Sequence, residues 1–190
     1  PMGRLRNQIA AVGITLSVVS GMPPAQAASL SRLEVEHDRG RYRITADLIV
    51  DASLEAVREQ LTDYNALPTL NRSIRRSQII AAPDPDRVRV STVIEACVIK
   101  VCRTLNRVED ILEHDQRLIA DIVPELSNFR YGRTEWQFKR RGDQSVVQYR
   151  AEVEPDFAVP PLLGPALIKR ALERELRSVL ESLKRRAEAR

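Results

Sequence analysis

Two cysteines, two histidines and one tryptophan in 190 residues close off several chemistries at the outset. A closed zinc site needs four ligands drawn from Cys, His and carboxylates. Cys97 and Cys102 cannot make one alone, and His37 and His114 lie far from them in sequence. No metal site and no cofactor are expected. Covalent acyl transfer needs a nucleophile with a base in reach, and glycoside hydrolysis needs paired carboxylates. The serines have no histidine partner: His37 sits near a turn and His114 in a Glu113-His114-Asp115 loop, and both read as solvated. No catalytic set is assigned. An excess of one charge is missing too, since 30 Lys and Arg stand against 26 Asp and Glu. That balance gives no argument for a nucleic-acid partner. No repeat, low-complexity tract or second domain is visible.

Long hydrophobic runs are equally scarce. The one near the front, Ile9 to Val19, is shorter than the ~20 residues a membrane-spanning helix needs. Arg4 and Arg6 precede it, and a Ser-Gly-Pro region with Ala25-Gln26-Ala27 follows. Basic start, short apolar middle and small residues at the cut are the parts of a secretory signal peptide. The expectation is a leader over 1–27 cleaved after Ala27, leaving 28–190 as one soluble exported domain; a retained anchoring helix is the alternative. Two of the 30 basic residues and no acids leave with the leader, so 28 basic face 26 acidic side chains. In an exported product Cys97 and Cys102 are free to oxidise. Within one straight strand they would stand ~17 Å apart. Across a hairpin whose loop is Val98 to Val101 they would face each other, and a stapling disulfide is expected.

What is present is a regular succession of patterns. A short strand is expected over 32–36, then a turn at Asp38-Arg39-Gly40. Tyr42, Ile44, Ala46, Leu48 and Val50 alternate with polar residues, which is a half-buried strand. Asp51 or Ser53 can cap a helix carrying Leu54, Val57, Leu61 and Tyr64, and Pro68 ends it, with a short helical turn around 66–70. Period-two patterning then gives strands near 73–82, 87–98, 101–112, 116–123, 131–141 and 144–154, joined by short polar turns. The parity places Val88, Val90, Ile94, Ala96, Trp136, Phe138, Val147, Tyr149, Ala151 and Val153 inward. Gly164-Pro165 opens a last helix, because Pro at the first helical position loses only an amide with no partner. Leu167, Ile168, Ala171, Leu172, Leu176, Val179, Leu180, Leu183 and Ala187 share one of its faces. So broad a stripe must lie against something apolar, and only the sheet is available.

This order resembles the helix-grip fold of the START-like (SRPBCC) superfamily, which holds polyketide cyclases, plant Bet v 1-type allergens and coenzyme Q-binding proteins. Three passages carry the likeness: Asp63-Tyr64-Asn65-Ala66-Leu67-Pro68, Ser127-Asn128-Phe129-Arg130-Tyr131-Gly132, and Glu154-Pro155-Asp156-Phe157 through Pro160-Pro161-Leu162-Leu163-Gly164-Pro165. They look closest to a bacterial coenzyme Q-binding START group, and the likeness spans about 32–188. It implies an α+β helix-grip (START/Bet v 1-like) fold, with a curved antiparallel sheet wrapped around a long C-terminal helix. It also implies a tunnel between sheet and helix for a lipid, quinone or polyketide. The residue after Phe157 is often aromatic in such relatives; here it is Ala158, which implies a wider or differently shaped pocket. A Gram-negative periplasm is the setting the likeness suggests.

The expected tunnel and its mouth take in Tyr64, Leu67, Pro68, Ile94, Leu105, Phe129, Arg130, Trp136, Tyr149, Phe157, Val159, Leu163, Ile168 and Leu172. The expected function is non-enzymatic carriage of a hydrophobic small molecule such as a lipid or isoprenoid quinone, by a monomer. Alternatives are a polyketide cyclase or dehydratase, or an envelope interaction module. Arg103, Arg107 and Tyr149 could polarise a substrate carbonyl, against ordinary strand charges and a core tyrosine. The apolar loop from Phe157 to Leu163 either folds back as a plug or lid, or meets lipid or an envelope protein. The basic outer face of the last helix is read as solvated, with a peripheral membrane contact as the other possibility. One question stays open. If Cys97 and Cys102 pair on the outer face, then Arg103, Arg107 and Glu109 fall inward beside Leu105, unless a bulge resets the register.

Overall fold

The computed structural model describes residues 30–98, 100–157 and 164–190. The expected leader over 1–27, Ala158, Val159 and Leu163 lie outside the described residues. Strands β1 (Leu30–Asp38) and β2 (Arg41–Val50) form a hairpin, followed by helices α1 (Leu54–Thr62) and α2 (Leu67–Leu70). Strands β3 (Ile74–Asp84), β4 (Arg87–Val98), β5 (Val101–His114), β6 (Arg117–Ile122), β7 (Phe129–Arg141) and β8 (Gln144–Pro155) follow, and helix α3 (Pro165–Glu188) closes the chain. The eight strands form one antiparallel sheet in the order β1-β2-β8-β7-β6-β5-β4-β3. No helix among the described residues is long and apolar enough to cross a membrane.

Local chemistry explains the element ends. Ser53, not Asp51, caps α1: its hydroxyl accepts from the Ala56 amide at 3.1 Å, an interaction worth about 1 kcal/mol. The expected turn after α1 is two short pieces, a 3-10 turn over Tyr64–Ala66 and then α2. Gly40 and Gly142 take the left-handed backbone that their tight turns demand. Gly132 has a different reason, since a Cβ there would stand 2.5 Å from Ile122 Cγ1 on the neighbouring strand.

Helix α3 lies along β1 and against α1, with weaker contact to β4. Its last three turns are held tightly: Leu176, Leu180, Leu183 and Ala187 are buried and join a core with Val35, Ala46, Val50, Val57, Phe138 and Val147. A second, separate cluster of Tyr64, Val90, Ile111 and Ala120 sits under β4 and β5. Leu67 packs against both. The outer face of α3 pairs Lys169 with Glu173 at 4.0 Å.

Candidate functional site

The unbroken β4–β5 ladder decides which way the β5 charges point. It runs in register from Arg87↔Leu112 to Val98↔Val101, with Cys97 facing Cys102 and no bulge. The two cysteines form a disulfide, with Cα atoms 4.1 Å apart. They sit on the exposed side, so Leu105, Arg107, Glu109 and Ile111 project into the concavity beside Val90, Thr92 and Ile94. Glu95, Cys97 and Cys102 cluster closely enough to hold a metal ion, but the disulfide takes both thiolates, which are the form that binds metal.

The concave face therefore combines apolar and polar groups. Ile94 and Leu105 face each other across β4 and β5. Trp136 and Tyr149 are opposed on β7 and β8, with ring centroids 4.5 Å apart in an edge arrangement. From α3, Ile168 and Leu172 pack against the same core without being buried. Ile94, Trp136, Tyr149, Val153, Ile168 and Leu172 are all only half-buried although they face inward. The grip is thus tight around the last turns of α3 and loose around the first. Two surface clefts lined by described residues lie elsewhere, one between the start of α1 and the end of α3, the other around Arg43, Tyr131 and Arg150 on the convex face.

The polar groups fall into two sets, one around Arg107 and one around Tyr64. Arg107 Nε lies 3.1 Å from Glu109 Oε2, and Glu109 is buried. Arg107 Nε is buried and makes no hydrogen bond among the described residues, so its contact with Glu109 is one of charge alone. Thr92 donates its hydroxyl to the Arg107 carbonyl at 3.1 Å. Burial pushes the Tyr149 phenol up to about 12. The Arg107 charge pulls it down, Glu109 pushes it further up, and a hydrogen bond with Thr134 lowers it. Tyr149 is thus a neutral hydrogen-bond donor in the field of Arg107. Tyr64 donates to Glu113 Oε1 at 2.8 Å, and Arg58 stands 3.8 Å from the same carboxylate. Burial, then the Glu113 bond, raise the Tyr64 phenol well above the ordinary tyrosine range.

Other expected site residues are placed differently. Tyr64 is buried beneath β3–β5, and Pro68 is half-buried within α2. Phe129 opposes Pro155 at the sheet end, and Phe157 lies under the Arg103 guanidinium at 4.8 Å. Phe157, just past the end of β8, thereby meets the start of β5. Arg130 stands apart from the concavity. It is exposed and ion-paired to Asp156 at 2.7 Å and Glu154 at 3.6 Å, because a register shift between Phe129 and Tyr131 turns it outward. The Ser127-Asn128 pair stitches strands: Ser127 Oγ accepts from the Val108 amide at 2.9 Å, and Asn128 Oδ1 from the Asn106 amide at 2.7 Å. Both histidines are exposed: His114 ends β5, and His37 sits near the β1–β2 turn on the same face as Tyr42, which it contacts. Sequence reasoning missed Thr92, Thr134 and Glu113. The signal for Glu113 was present, since it continues the alternation of Leu105, Arg107, Glu109 and Ile111 along β5.

The sequence model of the family described as polyketide cyclase / dehydrase and lipid transport matches residues 41–188. The chain belongs to that family. None of the curated proteins matches the sequence. Solved structures do. The Zhui aromatase/cyclase of Streptomyces sp. R1128 superposes with a TM-score of 0.67 at 12% identity, over 79% of this chain and 95% of that one. A START superfamily protein of Mycobacterium smegmatis gives 0.62 at 18% identity, over 77% and 97%. A STAR-related lipid transfer protein of Xanthomonas axonopodis gives 0.62 at 12% identity, over 80% and 98%. These likenesses show the fold: a START-like helix grip, as the element order implied. At such identities the fold does not carry the function.

Proposed function

We propose that this protein binds a hydrophobic small molecule, such as a lipid or an isoprenoid quinone, between the first half of α3 and the concave sheet. The supporting observation is the gradient of packing along α3, buried from Leu176 onward and half-buried at Ile168 and Leu172. An apolar tail placed there would cover Ile94, Trp136, Val153, Ile168 and Leu172. Each Å² so covered contributes about 25 cal/mol, so a long tail reaches several kcal/mol with few specific contacts. The head belongs beside Arg107 and Tyr149. Their donors suit an acceptor oxygen, and Glu109 at 3.1 Å already offsets the Arg107 charge. A carboxylate head would meet Glu109 as a like charge, so the ligand head in this reading is uncharged.

We further propose that the protein is exported to a periplasm and loses residues 1–27. The composition of that segment and the Cys97–Cys102 disulfide support this. A membrane or envelope-protein contact through the loop after Phe157 fits the same setting. A second reading, an enzyme of the cyclase or dehydratase type, has one specific support: Arg107 and Tyr149 would polarise the same carbonyl that a carrier would simply hold.

Protein purified from its own host, examined by native mass spectrometry and lipid extraction, tests the carrier. A recurrent hydrophobic adduct is expected, and repeated recovery of empty protein would overturn the reading. Incubation with a poly-β-keto thioester separates the rivals. Turnover abolished by both Arg107→Met and Tyr149→Phe establishes the enzyme, whereas unchanged thioester leaves carriage.

A further inference from the structure

Of the two strands that end the sheet, only β1 has α3 lying against it. β3 is hydrogen-bonded to β4 on one side and to no described strand on the other. Its beginning is protected: Ile74 and Ser77 are buried, and the 64–66 turn and α2 pack on it. From Gln78 to Asp84 every residue is exposed. Ile79 and Ile80, adjacent in sequence, are 47% and 44% exposed. Large apolar side chains on an open strand edge mark a site where another strand adds. The β3–β4 register skips Ile80, which falls between the pairs Ile79↔Val90 and Ala81↔Arg89. The register shifts again between Ala81 and Asp84.

The charge pattern identifies the occupant. Arg75 and Arg76 lie at the start of β3 and Asp84 at its end, with an uncharged stretch between. Arg75 is taken by Glu95 at 2.8 Å, whereas Arg76 is exposed and makes no ion pair among the described residues. Asp84 keeps a 3.3 Å contact with Arg87 and is half exposed. A strand basic at one end and acidic at the other is complementary to itself when the copy runs antiparallel. We propose that β3 pairs with β3 of a second copy of this chain, antiparallel about a two-fold axis at Ile80. That register sets Arg76 of each copy opposite Asp84 of the other and covers both exposed isoleucines. A two-fold arrangement uses the same patch on both subunits and closes after one addition, so it yields a dimer rather than a fibre. The dimer replaces the monomer expected from the sequence. It is independent of whatever the concave face binds.

Sedimentation velocity of the disulfide-intact protein from roughly 1 to 500 μM reads the association, over the range in which weak interfaces titrate. The wild type shifts from monomer to dimer. Ile80→Lys sets two ammonium groups at the axis and weakens association at least tenfold. Arg76→Asp weakens it several-fold, and adding Asp84→Arg to that variant restores it. These positions are exposed, so a thermal melt should show each variant folded as well as the wild type. Ile80→Cys gives an independent readout, an oxidised covalent dimer across the axis. Three results overturn the proposal: a wild type that stays monomeric throughout, a dimer indifferent to Ile80→Lys, or an Arg76→Asp defect that the second reversal fails to repair.

Discussion

Replacing Glu109 by Gln should move stability and ligand preference in opposite directions. The carboxylate lies 3.1 Å from Arg107 Nε and is 7% exposed. Two unit charges at ~4 Å interact with about 4 kcal/mol at the effective dielectric suited to partly buried sites. Arg107 is 30% exposed along its side chain, so water recovers part of that loss. The expected cost is about 1–3 kcal/mol, less than for breaking a fully buried pair. In a domain of this size that lowers the melting midpoint by about 2–12 °C. The concave face meanwhile gains an uncompensated guanidinium. Hexadecanoate should then bind at least tenfold more tightly than to the wild type, while 1-hexadecanol changes little. Trp136 is the one tryptophan in the chain, lies against Tyr149 on the concave face, and reports both titrations by its fluorescence. If the alcohol binds the wild type but the fatty acid gains nothing in Glu109→Gln, the placement of the head beside Arg107 is wrong.

Other perturbations probe the frame around the site. Gly132→Ala should cost about 1–3 kcal/mol in a urea melt through overpacking against Ile122, and Ile122→Ala in the same chain should relieve most of the clash. A Gly132→Ala variant as stable as the wild type would refute that packing. Tyr149, with its phenol raised to about 12, stays protonated in the folded state where an unfolded tyrosine ionises near 10. The native state then binds more protons, so unfolding free energy should fall by about 1.4 kcal/mol per pH unit between 10 and 12. Urea melts across that range should show a shallower fall for Tyr149→Phe. Replacing both Cys97 and Cys102 by Ser should lower stability by about 2 kcal/mol or less, because the bond closes only a very short loop. A larger loss in denaturant melts would mean the disulfide organises more than its own hairpin.

Residues near in sequence announced most of the architecture. Alternation from Tyr42 to Val50 and through the six later strands fixed which side chains share a face, and Gly164-Pro165 marked the start of α3. Those signals are local, since strand and helix periods depend on backbone geometry within a few residues. The concave face was half legible. Ile94, Leu105, Trp136, Tyr149, Ile168 and Leu172 were chosen from parity or resemblance. Trp136, Tyr149, Ile168 and Leu172 all pack on the main core, while Ile94 and Leu105 oppose each other on β4 and β5. Arg130 came from a motif whose side chains serve strand stitching and surface ion pairs.

The chain alone determined the order of elements, the two faces of each strand and the cysteine pair able to meet across a hairpin. Tertiary structure alone decided which β5 face turns inward, so that Arg107 and Glu109 share a concavity with Tyr149 from three strands away. It alone decided that β3 ends the sheet with Ile79 and Ile80 uncovered. The physical reason is that periodicity assigns residues to faces, while what covers a face depends on sheet curvature and on which strand lies at the edge. Those are set by contacts between segments far apart in sequence.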